Sequence, residues 1–361
     1  MVAAGFIGAS VWAVRTPYPY AGEPIIVAAI PPPEELKTAS VTPPPQTEDE
    51  TQPVEEVVTS DEVIDPEPAS KTPTTGGADV YRTENSIEIA PRRQLRAAPV
   101  AELIDGSQLP RIGDDNKRPS DVYARLTPKA VLNSGRPKIA IMLGGMGLNS
   151  KLTSMATNQL PGDVTFAFAP YGENLQEQVN KARANGHEVL LQLPMEPIGY
   201  PANNPGPKTL LSNADAKANI ESLHWHMSRF AGYTGVTNYM GGRMLMSIGA
   251  LKPVMAEIQK RGLIYLEDAS TSVTSSSGVA EEVNLPARHA QVVIDADPTA
   301  DGIAAALQKL EDEATANGYA IGTGSGLEVT LDAVRDWSEK LKDKGILLVP
   351  VSAMYKGKLS G

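Results

Sequence analysis

PKIAIMLGGMGLNS, residues 137–150, opens with the apolar run Ile139–Leu143 and passes into glycines without any polar alternation. A strand that is apolar on both faces belongs to a sheet covered on both sides, as parallel sheets are by their crossover helices. The same signature recurs downstream at Val164–Ala169 (VTFAFA), Val189–Leu193 (VLLQL), Val236–Met240 (VTNYM) and Leu263–Leu266 (LIYL). It returns at Val292–Ile294 (VVI), Tyr319–Ile321 (YAI) and Ile346–Val351 (ILLVPV). Helix-length amphipathic stretches fill the gaps: Leu175–Ala184, Pro253–Lys260, Ala300–Ala316 and Val329–Lys344. Glycines stop them at Gly186, Gly262, Gly318 and Gly345, just before the next strand. The alternation predicts an α/β fold. Eight strands in about 220 residues predict a parallel β/α barrel, with an open doubly wound sheet as the alternative.

Upstream of this domain, placed at residues 137–357, the character of the chain changes. Residues 121–136 regain some apolar spacing (DVYARLTPKAVL) and are expected to lie against the domain as a lead-in. Residues 16–120 are expected to form a disordered acidic linker, with triple prolines at Pro31–Pro33 and Pro43–Pro45 favouring extended backbone. A proline-rich element docking a partner is the sharper reading of the same stretch. Residues 1–15 carry no charge before Arg15, yet fall short of the roughly 20 apolar residues of a spanning helix. They read as the exit half of an inner-membrane anchor whose beginning precedes Met1, with a disordered apolar tail as the alternative. A basic leader and a convincing cleavage site are both missing, so anchoring is favoured over release.

The chain is acidic, with 32 Lys and Arg against 43 Asp and Glu, which argues against a nucleic-acid partner. It has no cysteine, which removes disulfides, thiolate catalysis and sulfur-based zinc sites. In parallel α/β folds the site forms at the C-terminal ends of the strands. Those ends carry Gly144-Gly145, then Gln192 and Glu196, then Asn238, Tyr239 and Arg243. Further on come Glu267-Asp268, Asp295 with Asp297, and Thr323 to Ser325.

IAIMLGGMGLN, LPGDVTFAFAPYG, GHEVLLQLPMEPIGYP with NPGP, GVTNYMGGR, RGLIYLED and LVPVSAM follow one another in order between Pro137 and Met354. In order and spacing this set resembles the divergent polysaccharide deacetylase family, with LPMEP and the following Gly-Tyr-Pro as its most characteristic piece. The resemblance implies a distorted parallel β/α barrel, a bacterial envelope setting on the periplasmic side, and a polysaccharide substrate handled with a divalent metal. Members typically carry an Asp pair where this chain has Gly144-Gly145, a histidine at Tyr239, and another in the loop that here reads Gly-Thr-Gly-Ser at 322–325. Glycine offers no side chain and a neutral phenol is a poor ligand, so no metal cofactor is expected.

Other residues rebuild the site poorly. His187 stands at the wrong end of its strand, and His224 and His226 do not share a helix face. A structural role is expected of each, and of His289. An all-carboxylate metal site from Glu196, Glu267, Asp268 and Asp295 is the remaining alternative. Gly145-x-Gly147-x-x-Ser150 lacks the third glycine of a dinucleotide turn, and Ser325 is out of register for a nucleophile elbow.

Two functions follow. The first is a tethered, non-catalytic protein that binds a polysaccharide or an envelope protein through Gly144, Gly145, Gln192, Asn238, Tyr239, Arg243, Glu267, Thr323 and Ser325. The second is a hydrolase that deacetylates an envelope polysaccharide with Glu196 and Asp268 as its catalytic carboxylates.

Overall fold

The protein is described by a computed structural model over residues 100–104 and 106–356. The expected anchor and most of the expected linker lie outside the described residues. The strands are β1 (Ala101–Ile104), β2 (Ser107–Pro110), β3 (Lys138–Met146), β4 (Thr165–Phe168), β5 (Val189–Met195) and β6 (Gly235–Met240). They continue with β7 (Ile264–Glu267), β8 (Ala287–His289), β9 (Val292–Val293), β10 (Tyr319–Ser325) and β11 (Leu347–Leu348). The principal helices run over Ser150–Gln159, Leu175–Ala184, Ala216–Met227, Ile248–Lys260, Ala300–Asn317 and Glu328–Ser338.

All pairings in the main sheet are parallel, in the order β8-β7-β6-β5-β4-β3-β10-β9, with β11 added beside the start of β3. The two ends of this order are held together by one stretch of chain. β8 pairs with β7, the Ala290 amide then donates to the Glu267 carbonyl at 2.9 Å, and the next amide, Gln291, donates to Ile321 of β10 at 2.8 Å. The chain continues into β9 against β10. The sheet therefore curls into a distorted barrel whose seam is a short, irregular segment. Strand alternation separates two cores. Ile139, Ile141 and Leu143 of β3 pack outward with helix residues such as Leu307, Leu310 and Val334. Ala140 and Met142 point inward with Ala167, Leu190, Leu266 and Ile321, and Val351, Ala353 and Met354 pack into the same inner core. Full burial of each large side chain is worth about 1.5–3 kcal/mol.

Glu188 ties that inner core to the preceding segment. It is 1% exposed, and its carboxylate accepts from the backbone amides of Ser352 at 2.9 Å and Arg125 at 3.2 Å. Burial pushes its pKa up. Arg125, in the segment 121–136, thereby meets the barrel. The linker boundary at residue 120 needs correction. β1 and β2 form an antiparallel hairpin, Val100 and Leu109 are buried, and Arg261 donates to Glu102 and to the Pro110 carbonyl. Four-residue strands beside a proline-rich stretch give too short a period to be read from sequence.

The helix boundaries also shift. The last helix ends at Ser338 and the chain turns through 339–345, whereas the one containing Pro253 begins earlier, at Ile248. Three helices are fixed by side-chain caps: Ser150–Gln159 and Ala216–Met227, which the sequence reading passed over, and Ala300–Asn317, which it placed to within one residue. Asn149 accepts from the Leu152 amide at 3.0 Å, Asp215 from Ala218 at 2.7 Å and Thr299 from Gly302 at 3.1 Å. Among the described residues, no helix is long and apolar enough to cross a membrane.

Candidate functional site

The inward register of the barrel strands continues to their C-terminal ends. Ala140 and Met142 lead to Gly144, Leu190 leads to Gln192, and Ile321 leads to Thr323. On β6, Val236 packs outward, so Thr237 and Tyr239 face in. Gly144, Gln192, Tyr239 and Thr323 therefore share the mouth of the barrel, and Asp268 caps β7 beside them.

Gln192 holds the centre of this group. Its Oε1 accepts from the Gly145 amide at 2.7 Å. A Cβ on Gly144 would stand 2.5 Å from its Nε2. The amide thus fills the space that a side chain at 144 would enter. Gly145 sits at φ +73 with open space around its missing Cβ. Thr323 is buried and donates its hydroxyl to the Asp268 carbonyl at 2.6 Å, a second link across the seam. Ser325 is exposed, and its amide donates to Asp295 at 2.7 Å, which also accepts from Thr330. Asp295 is thereby committed to the loop that starts the last helix.

Asn238 faces away from the mouth and is fully buried between β6 and β7. Its Nδ2 donates to Asp268 Oδ1 at 2.7 Å and to the Met240 carbonyl, while its Oδ1 accepts from the Asp268 amide at 3.0 Å. Asp268 Oδ1 also accepts from the Ser270 amide at 2.9 Å. Oδ2 accepts no hydrogen bond from a described residue. Burial pushes the Asp268 pKa up to about 6, against the opposing effect of the Ser270 and Asn238 bonds. Burial also raises the Tyr239 phenol, and the nearby Asp268 charge adds to the rise. Asp268 is the carboxylate at this end whose proton affinity is brought near neutrality.

Glu196 is fully committed and Glu267 is held through one of its two oxygens. Glu196 is 3% exposed; one oxygen accepts from the Ser212 amide and hydroxyl at 2.6 Å each, the other from Arg243 at 3.3 Å. Its carbonyl also receives the Arg243 and Met244 amides. It pins two loops together, and Arg243 is its half-exposed partner. Glu267 is 1% exposed, takes the hydroxyls of Thr274 and Ser276, and faces His289 at 3.2 Å. That contact raises the His289 pKa. His187 is stacked on Phe166 at 4.0 Å and bonded to the Val164 and Thr157 carbonyls, and burial drives its pKa down to about 4. His226, bonded to the Lys208 carbonyl, is lowered by burial to about 4, and His224 pairs with Glu257 at 2.8 Å. The reading of the sequence missed Ser212, Ser270 and Tyr171, the last donating to the Pro207 carbonyl at 2.6 Å. Ser212 and Tyr171 lie 16 and 36 residues from the groups they serve, with no local spacing to mark them. Ser270, in contrast, follows Asp268 by two residues in an Asx-type turn that the sequence could have signalled.

The residues at the mouth do not fit a resident divalent metal. The seat at 144 is filled by an amide, Tyr239 keeps its proton, and the Thr323 hydroxyl is already donated. Among the described residues, no three His, Cys, Asp or Glu side chains converge in a way that could hold an ion.

Comparison with known proteins places this barrel in a group. Residues 141–355 match the divergent polysaccharide deacetylase family, and the chain belongs to that family. It is similar to the crystal structure of the uncharacterized protein ATU2773 from Agrobacterium tumefaciens, with 42% identity and a TM-score of 0.66 over 69% of this chain and 99% of that one. It also resembles the uncharacterized protein YibQ of Escherichia coli, with 24% identity over 188 residues, 52% of this chain. The match spans 58% of YibQ's own length. A family 4 carbohydrate esterase from Streptomyces lividans is similar at 13% identity and a TM-score of 0.37, over 60% of this chain and 94% of that one.

Proposed function

We propose that the domain is a glycan-binding member of its family, one that has given up metal-dependent deacetylation and works at the cell envelope. The observation that supports this most is the Gln192 amide, seated where a ligand side chain at 144 would project and fixed there by the Gly145 amide. A mouth of amide, phenol and hydroxyl groups suits a hydroxyl-rich ligand, which it can meet with both donors and acceptors. The envelope setting rests on the apolar residues 1–15 and the proline-rich residues that follow. An envelope protein is the alternative ligand. Cosedimentation of the full chain with insoluble envelope polysaccharide, beside equilibrium metal analysis and an acetate-release assay, tests the reading. Retention on the polysaccharide without acetate release is expected; stoichiometric metal with acetate release overturns it.

A second reading, a hydrolase with an altered carboxylate site, is favoured by the Asp268 pKa near 6 and by the clamp that Asn238 and Thr323 place on that residue. Glu196, held by Ser212 and Arg243, is its weaker half. If acetate release is found and is lost in Asp268→Asn but not in Glu196→Gln, this second reading replaces the first.

A further inference from the structure

We infer that the mouth selects sugars bearing a free amine over their N-acetylated counterparts, with the Asp268 carboxylate as the group that makes the choice. This rests on the glycan-binding reading and names the chemical form of the ligand.

The inference starts from how the carboxylates at this end are committed. Glu196 is filled by Ser212 and Arg243, Glu267 by Thr274, Ser276 and His289, and Asp295 takes the Ser325 amide and the Thr330 hydroxyl. Asp295 Oδ1 and Glu267 Oε1 also accept no hydrogen bond from a described residue, but Asp268 is the carboxylate that continues the inward register of β7 beside Tyr239. Asn238 and the Ser270 amide hold Oδ1, and the Ser270 hydroxyl is the other group beside the carboxylate, leaving Oδ2 room for a ligand. Asn238 donates to the carboxylate and accepts from the amide of the same residue, so the direction of Oδ2 is fixed by a buried side chain. An ionised oxygen held in this way, beside a mouth whose metal seat is filled, matches a monocation better than a divalent ion. A divalent cation would need several such oxygens.

The groups around it decide which monocation. Tyr239 has a phenolic hydroxyl with no hydrogen bond to a described residue, and Asp268 is close enough to raise its pKa. Gln192 has Oε1 committed to Gly145, which leaves its Nε2 hydrogens to face a ligand. A phenol beside the carboxylate, with an amide N–H₂ deeper in the same mouth, complements an ammonium flanked by hydroxyls, the pattern of an amino sugar. An acetamido group offers a single neutral N–H to the carboxylate. Charge-assisted hydrogen bonds are roughly twice as strong as neutral ones, so the amine should bind on the order of tenfold more tightly. Glu267 already faces His289, so that imidazole does not take the place of the ligand's cation.

Isothermal titration of the full chain with a β-1,4-linked glucosamine hexamer and with its fully N-acetylated counterpart tests the inference at pH 7.5. Roughly tenfold tighter binding of the free amine is expected, falling with added salt. Asp268→Asn should bring the two ligands to equal affinity, and Gln192→Leu should weaken both alike. Thermal melts of each variant separate a lost carboxylate from a lost fold. If the N-acetylated hexamer binds as tightly as the amine or more so, the inference fails while glycan binding stands. If neither hexamer binds, both fail. If the preference for the amine survives in a folded Asp268→Asn protein, Asp268 is not its source and the assignment fails.

Discussion

The Gly145 amide donates to Gln192 Oε1 at 2.7 Å, while Gln192 Nε2 lies 2.5 Å from the Cβ that Gly144 lacks. Two glycines and one glutamine are thereby a single structural unit. The first glycine makes room for the amide and the second supplies its hydrogen bond.

That unit predicts coupled substitutions. Gly144→Ala displaces the end of a flexible side chain and breaks the Gly145 bond, costing about 1 kcal/mol, and Gln192→Ala costs a similar amount. The double variant should cost less than the two singles combined, with a coupling of roughly 0.5–1 kcal/mol in urea denaturation. Strict additivity would mean that the amide is not seated as described.

Gly145 predicts the outcome of trying to return a metal ligand. Its missing Cβ faces open space, and aspartate tolerates positive φ better than most residues, so Gly145→Asp should fold with a loss of about 1 kcal/mol. The new carboxylate and Asp268, beside a protonated Tyr239 and a committed Thr323, supply too few ligands for a site, so titration of this variant with zinc should show no stoichiometric binding. Adding Gly144→Asp to Gly145→Asp should be costlier, because the Gln192 amide must then leave.

Glu188 predicts a loss of stability with no loss of chemistry. Its carboxylate carries the Ser352 and Arg125 amides in a buried place, and Glu188→Ala leaves both without acceptors. A destabilisation of about 2–4 kcal/mol is expected in chemical denaturation. Glu188→Gln keeps one acceptor oxygen and should lose less.

Asp268 and His289 each contribute stability that is lost with rising pH, in two successive windows. His187 and His226 make the opposite contribution, because their lowered pKa values destabilise the fold as pH falls below about 6.5. Burial holds the Asp268 carboxyl at about 6, above the roughly 3.9 of an exposed aspartate. The folded state therefore binds this proton more tightly than the unfolded state. The resulting stabilisation is complete below about pH 4 and is lost as pH rises to about 6. His289, raised by Glu267, contributes stability below its ordinary value near 6.5 that disappears as pH climbs through its higher folded pKa. Measured against the unchanged protein, the urea midpoint of Asp268→Asn should gain with rising pH over the first window, and that of His289→Gln over the second. The buried Glu188 acts in the same direction as Asp268, so neither variant should be flat.

Much of the barrel was legible because its strands are apolar on both faces, and all eight runs from Ile139 to Val351 carry strands. β8 was not, since Ala287, Arg288 and His289 are half-buried at the seam and form no apolar run. The glycines and Tyr239 could be placed at the mouth from strand ends and a family resemblance alone. That Glu196 and Glu267 are held by other groups could not be read, because Ser212 and His289 reach them only through tertiary contacts. The Gln192 seat was equally hidden, since it depends on a register between β3 and β5, and these strands are joined only through β4.

The inner core has a consequence for the order in which this chain can fold. Val351, Ala353 and Met354 belong to the segment that is synthesised last among the described elements, yet they pack against Ala140 and Met142 from the first barrel strand. A domain growing from a ribosome would hold its sheet with an uncovered inner face until those residues emerged. Completion of this barrel therefore waits on the emergence of residues 351–354, and a chain stalled shortly before residue 347 should remain sensitive to protease.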